Sequence, residues 1–195
     1  MRPAVFIDRD GTINEECGYL SNINDFKLLP GAGKAISLLN KNDYIVVVIS
    51  NQSGVAKGYF PVELVAETHE SMIRELEKDE AFIDGIYFCP HHPDGVVPEY
   101  SKECNCRKPN TGLIEKARSE LEIDMEGSYV IGDKWLDIEC AHNANLPGIL
   151  VLTGYGMEEL QHMATNPQRD KPAFVAKDLF AAVQWILSRD SQNER

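Results

Sequence analysis

Two carboxylates give the chain its first candidate chemistry. Asp8 and Asp10 stand two apart in Asp8-Arg9-Asp10-Gly11-Thr12, directly after the apolar run Ala4 to Ile7. Paired carboxylates can divide two tasks, nucleophile and general acid/base. Both reach one site only if the chain leaves the alternation of a strand, and Gly11 permits that turn. Later come Lys108 and the pair Gly132-Asp133. The set then holds what phosphoryl transfer needs: a nucleophile, an acid, a cation for the equatorial oxygens and a metal ligand.

A second cluster is built from softer donors. Cys89-Pro90-His91 and Cys104-Asn105-Cys106 form two close pairs across a loop. That is the layout of a tetrahedral zinc site, and three thiolates with one imidazole make a structural set. His92 competes with His91 for the imidazole position. All four positions are filled, so this zinc is expected to be structural. The stretch from Pro90 to Glu103 is rich in Pro, Gly and charge, with little else to order it, and metal binding supplies folding energy to such a loop. Arg107-Lys108-Pro109 follows directly. The loop would therefore fix where Arg107 and Lys108 point, and the fork of Arg107 suits phosphate.

The elements that must position these groups alternate. Strand-like apolar runs are Ala4 to Ile7, Tyr44 to Ile49, Ile83 to Phe88, Ser128 to Ile131 and Gly148 to Leu152. Helical spacing marks Gly31 to Lys41, Pro61 to about Lys78, Thr111 to Leu121, Leu136 to Asn143 and Leu179 to Leu187. Tyr44 to Ile49 is continuous and β-branched, as a parallel strand covered on both faces requires. This order predicts a parallel sheet with helices on both faces. Ligands bind such sheets at the carboxyl ends of the strands, where Asp8, Ser50, Asn51 and Asp133 fall. Met163 to Pro172 reads as a mobile loop, and the final SQNER as a fraying end.

Composition bounds the partners. The 195 residues suit one domain, 1–195, containing the zinc loop 89–106. A net charge of -12 argues against nucleic acid as the main partner. No apolar run reaches membrane-spanning length, and Met1-Arg2-Pro3 opens no signal-peptide segment. The expectation is a cytoplasmic monomer acting on a small phosphorylated metabolite.

The motifs FIDRDGT, ISN, RKP and VIGDKWLD, in that order, resemble the four motifs of the haloacid dehalogenase superfamily. The resemblance implies a Rossmann-like three-layer α/β/α sandwich around a central parallel sheet. It implies that Asp8 attacks phosphorus, and that Asp10 protonates the leaving oxygen and later deprotonates water. Ser50 and Lys108 would hold the phosphoryl oxygens. Asp8, the carbonyl of Asp10 and Asp133 would bind Mg2+, with Asp137 orienting them. Asp10 must be protonated in the first step, and like-charged neighbours are expected to raise its pKa.

Within that superfamily the C-x-H…C-x-C-R-K-P loop and Asn51 to Gly58 are similar to the branch of D-glycero-D-manno-heptose bisphosphate phosphatases and histidinol phosphatases, the heptose group most of all. Lys57 stands where that group more often has arginine. The short intervals leave no room for a large cap, so substrate choice rests on loops. The resemblance places Arg9, Glu16, Cys17, Gly18, Tyr19, Asn51, Gln52, Ser53, Arg107 and Lys134 at the substrate. It implies a sugar bisphosphate substrate, cleaved at C7, and zinc held by Cys89, His91, Cys104 and Cys106. The rivals are a histidinol-phosphate phosphatase, a nucleic-acid end phosphatase and a non-catalytic zinc module. Cys17 and Cys140 read as ordinary thiols, His69, His142 and His162 as surface residues. Tyr155 and Trp135 read as packing or site-edge groups.

Overall fold

The computed structural model describes residues 1–166 and 170–193. Its elements are β1 (Pro3–Ile7), α1 (Ala32–Lys41), β2 (Ile45–Asn51), α2 (Val62–Glu77), β3 (Gly85–Cys89) and α3 (Gly112–Leu121). They continue with β4 (Asp124–Gly132), α4 (Trp135–Asn143), β5 (Gly148–Val151), α5 (Gly156–Thr165), β6 (Phe174–Ala176) and α6 (Leu179–Asn193). The six strands are all parallel, in the order β3-β2-β1-β4-β5-β6.

Strand alternation sorts the core into two layers. Val5, Ile7, Val46, Val48, Ile131 and Ile149 pack with Leu39 of α1, Met72 of α2 and Val183 of α6. Ala4, Phe6, Ile45, Val47, Ile49 and Val130 face the other way, onto Ile114 of α3 and Ala141 of α4. This is the expected three-layer α/β/α sandwich. Strand order reverses at β1, which pairs with β2 on one side and β4 on the other. A crevice opens at the carboxyl ends of such strands, and the candidate chemistry lies there.

Four expectations need revision. The sequence reading ended β2 at Ile49, but the strand continues through Ser50 and Asn51, paired with Phe88 and Cys89. β4 begins at Asp124 rather than Ser128. The expected loop from Met163 overlaps α5, which no strong periodicity announced, and β6 follows at Phe174; 167–169 lie outside the described residues. The expected frayed end overlaps α6, which continues to Asn193, and 194–195 lie outside the described residues. Among the described residues no helix is long and apolar enough to cross a membrane.

Candidate active site

The site grows from the end of β1. Asp8 still pairs as a strand residue, its N–H donating to the Ile131 carbonyl at 2.9 Å. The chain then folds over the Arg9 carbonyl, which accepts from the N–H groups of Thr12, Ile13 and Asn14. Gly11, at φ 85°, makes this turn possible. A Cβ at Gly11 would also collide with the Asp133 carboxylate. The position therefore needs glycine twice over.

Three carboxylates and one ammonium form the centre. Asp8, Asp133 and Asp137 are buried and bring one oxygen each within 4.8 Å of one another. Lys108 donates from Nζ to Asp8 Oδ1 at 2.7 Å and the Ile49 carbonyl at 2.9 Å, and pairs with Asp137 Oδ1 at 2.6 Å. Two of its protons are thus hydrogen-bonded, the Asp137 contact is an ion pair, and Lys108 lines the cleft as well as holding Asp8. Asn51 pins the Lys108 backbone on both sides, accepting from its N–H and donating to its carbonyl, each at 3.0 Å.

The electrostatics of this group call for a further cation. Burial first, then Asp8 and Asp137, push the Asp133 carboxyl up to about 8. Its Oδ2 accepts from the Tyr155 N–H at 2.9 Å, while Oδ1 is buried with no hydrogen-bond partner. Burial also lifts Asp137, to about 6, against the opposing pull of Lys108. Burial disfavours the Lys108 charge, but Asp137 and Asp8 outweigh it and raise its pKa. A hard, oxygen-seeking dication fits this donor set and the orphaned Asp133 oxygen.

Asp10 behaves differently from its neighbours, and here the expectation was wrong. Burial alone would raise its pKa, but the Arg9 charge and hydrogen bonds from Asn14, Arg9 and Gln52 hold it below the ordinary value. The dominant neighbour is a cation rather than a like charge. These contacts favour its charged form, and an arriving phosphate dianion would raise its proton affinity.

A cleft of about 290 Å³ lies over this centre. Asp8, Asp10, Asn51 and Lys108 line its floor, and Gln52, Ser53, Arg107, Glu16, Gly18, Tyr19 and Lys134 line it too. Lys134 Nζ pairs with Glu16 Oε2 at 2.7 Å and stands over the Tyr155 ring at 4.6 Å. Lys57 donates to the Tyr19 hydroxyl at 2.9 Å. Leu20, Gly54, Phe60, Leu136 and Tyr155 also line the cleft. Apart from Tyr155, sequence reasoning missed them, because apolar wall residues carry no chemical signature.

Three expected substrate contacts are not on the cleft wall. The Arg9 side chain is 1% exposed and turned onto Asp10, because a buried guanidinium must satisfy its charge locally. Ser50 is buried, with its hydroxyl accepting from Gln52 Nε2 at 2.5 Å. Cys17 is exposed to solvent. His69, expected at the surface, is buried against Phe88, and burial and then Arg9 depress its pKa to about 4. The spacing Val65-His69-Met72-Leu76 already put it on the apolar face of α2.

The four expected zinc ligands come together beside the site. Cys89 Sγ lies 3.5 Å from Cys104 Sγ, and Cys106 Sγ lies 3.3 Å from both Cys104 Sγ and His91 Nδ1. Zn–S bonds of about 2.3 Å imply tetrahedral edges of roughly 3.8 Å, so this cluster is close to binding dimensions. His92 is not in it, since its Nδ1 accepts from the Asp94 N–H. Arg107 Nη1 donates to the His91 carbonyl at 3.3 Å, tying the cluster to the cleft.

A doubly covered parallel sheet with two carboxylates at the end of its β1 strand, a lysine and a buried acidic pair fits a phosphoryl-transfer hydrolase. Comparison with known proteins agrees. The Polynucleotide kinase 3 phosphatase family matches residues 5–143, and the HAD-hydrolase-like family matches residues 105–182. The D-glycero-D-manno-heptose-1,7-bisphosphate 7-phosphatase of Thermosynechococcus vestitus is 40% identical over 191 residues, 96% of each chain. The D-glycero-beta-D-manno-heptose-1,7-bisphosphate 7-phosphatase of Escherichia coli K12 is 44% identical over 153 residues, 78% of this chain and 80% of that one. A crystal structure of D,D-heptose 1,7-bisphosphate phosphatase from B. bronchiseptica, complexed with magnesium and phosphate, aligns with TM-score 0.84 and 30% identity, covering 97% of this chain and 99% of that one. The chain belongs to the haloacid dehalogenase-like phosphatases, in the branch of the heptose-1,7-bisphosphate 7-phosphatases. It is a phosphomonoester hydrolase.

Proposed function

We propose that the protein removes the C7 phosphate of D-glycero-D-manno-heptose 1,7-bisphosphate through an aspartyl-phosphate on Asp8. The observation that carries this reading is the grouping of charges in one cleft. Asp8, Asp10 and Lys108 make one phosphoryl centre, while Arg107 and Lys134 line the same 290 Å³ space, a second cationic set for a second phosphate. Relatives named for this substrate, similar over nearly the whole chain, support it.

The steps follow from the geometry. Lys108 takes Asp8 Oδ1, so Oδ2 is the oxygen left to attack phosphorus. As the Asp8 O–P bond forms, the bond to the sugar oxygen breaks, and Asp10, which takes a proton from solvent as the phosphate dianion binds, gives that proton to the sugar oxygen. A sugar alkoxide is a poor leaving group, and such general acid help is typically worth about 10²–10⁴-fold. Asp10 then removes a proton from water; the water oxygen bonds to phosphorus, the Asp8 O–P bond breaks, and inorganic phosphate departs. Lys108, on the cleft wall, steadies the oxygens of the transferring group, while Ser50, buried off that wall, anchors Gln52. Mg2+ would be held by Asp8, the Asp10 carbonyl and Asp133, with Asp137 orienting the set, and would offset the repulsion between Asp8 and a phosphate dianion. Zinc would be held by Cys89, His91, Cys104 and Cys106 as a structural ion that fixes Arg107.

The same reading makes the protein a cytoplasmic monomer. Its five free cysteines suit a reducing compartment. The test measures phosphate release, with magnesium, from heptose 1,7-bisphosphate, histidinol phosphate and a 3′-phosphorylated oligonucleotide. The expected result is a kcat/KM at least about a hundredfold higher for the bisphosphate, about 2.7 kcal/mol of transition-state discrimination. Preference for either of the others would overturn the substrate.

A further inference from the structure

Arg9 is a charged side chain to which the reaction steps give no task. It is 1% exposed and absent from the cleft wall, so a bound substrate does not meet it. Breaking the pairing of a buried charge is costly, and the pairing here has one target, reached by Nε and Nη2 while Nη1 is buried without a hydrogen-bond partner. Arg9 Nε donates to Asp10 Oδ1 at 3.1 Å, and Nη2 donates to Oδ1 at 2.9 Å and to Oδ2 at 2.8 Å. Asn14 Nδ2 adds a bond to Oδ1 at 3.0 Å, and Gln52 Nε2 one to Oδ2 at 2.8 Å. A carboxylate offers roughly four lone-pair sites, so these contacts fix the plane of the group. The Asp10 side chain keeps 22% of its surface open, and it lines the cleft. Gln52 does more than add one bond. Its second amide proton goes to Ser50 Oγ at 2.5 Å, so one side chain ties the acid/base to the buried end of β2.

We infer that Arg9 and Gln52 are positioning residues for proton transfer by Asp10: the guanidinium fork and the bridging amide hold its carboxyl in one orientation toward the leaving oxygen. The inference rests on Asp10 being the general acid/base. In the first step the proton passes from Asp10 to the oxygen whose bond to phosphorus is breaking, and Arg9 keeps its own protons throughout. Transfer of this kind requires the acid within hydrogen-bond reach of that oxygen. A freely turning carboxyl would meet that geometry only part of the time. Lysine at position 9 would keep the charge but not the planar fork.

The test compares Arg9→Lys, Arg9→Met and Gln52→Met with the parent, with Asp10→Asn as reference and thermal melting as a check on folding. Each is assayed with magnesium on heptose 1,7-bisphosphate, which needs its leaving oxygen protonated, and on p-nitrophenyl phosphate, whose leaving group needs little help. For Arg9→Lys we expect kcat on the sugar phosphate to fall at least about tenfold, KM to stay within about twofold, and the loss on p-nitrophenyl phosphate to stay under about threefold. Arg9→Met is expected to lose more in the same pattern. A rise in KM with kcat retained would make Arg9 a substrate ligand and overturn the inference. Equal loss on both substrates, or no loss, would overturn it as well. If the Arg9 variants do not fold, Gln52→Met decides, with at least about a threefold fall in kcat confined to the sugar phosphate. Sugar-phosphate turnover retained by Asp10→Asn would instead remove the acid/base assignment itself. Loss in Asp10→Asn alone, with the other variants normal, would remove only the positioning role.

Discussion

Replacing Asp133 by Asn should make the metal-free fold more stable while ending the reaction. Asp133 is fully buried, and burial with Asp8 and Asp137 beside it lifts its carboxyl from 3.8 to about 8. An acid whose pKa rises on folding contributes most to stability below its unfolded value, and that contribution is lost as pH climbs toward the folded value. At pH 7, a little over three units above the unfolded value, linkage puts the loss at about 4 kcal/mol. Asp137, itself raised to about 6, shares the repulsion, so the amide should recover about 2–4 kcal/mol. The amide oxygen can still accept from the Tyr155 N–H, which leaves the local backbone in place. The assay is urea unfolding of parent and variant in chelator at pH 7 and pH 5, repeated with magnesium. The variant should be the more stable at pH 7, with less than half that advantage at pH 5. Added magnesium should stabilise the parent and leave the variant nearly unchanged, and the variant should not turn over. A variant no more stable than its parent at pH 7 in chelator would refute the reasoning.

The remaining predictions concern the groups around this centre. His69, held neutral by burial and then by Arg9 with a pKa of about 4, stabilises the fold fully above its ordinary 6.5 and loses that contribution as pH falls toward 4. By pH 5 the loss is about 2 kcal/mol, so His69→Phe should show that much less acid sensitivity by urea unfolding. Asn51→Ala removes both bonds to the Lys108 backbone. It should lower unfolding stability by about 1–3 kcal/mol and kcat about tenfold, with little change in KM by steady-state kinetics. Cys106→Ser should lower the zinc content read by elemental analysis and expose residues 90–105 to protease. Because Arg107 is tied to the His91 carbonyl, KM should rise more than kcat falls.

Much of this was legible because chemistry and periodicity coincide at strand ends. The continuous apolar run of β2 could only be a covered strand, and Asp8 and Asp133 follow β1 and β4 directly. The grouping of three cysteines with a histidine was legible from spacing, yet the choice between His91 and His92 needed coordinates. α5 and β6 were missed for physical reasons. Gly154 and Gly156 precede and open the helix, and a three-residue strand is too short to display alternation. Met157, Leu160 and Met163 do recur every third residue, a weak signal beside the Asn166-Pro167 breaker. Arg9 and Asp10 were misread for a different cause. Adjacency in sequence does not reveal that the turn at Gly11 sends one side chain behind the other. The sign of the Asp10 shift depends on that placement, because burial and the Arg9 charge oppose each other.

The most direct test is to look for the covalent intermediate on Asp8. Enzyme mixed with substrate and magnesium is quenched in acid within milliseconds and digested with trypsin, and the peptide spanning residues 1–9 is weighed by mass spectrometry. The account predicts one added phosphoryl group on Asp8, removed by hydroxylamine and absent from Asp8→Asn, which folds normally but does not turn over. Steady turnover with no phosphoryl group on that peptide, or by an Asp8→Asn variant, would contradict the account.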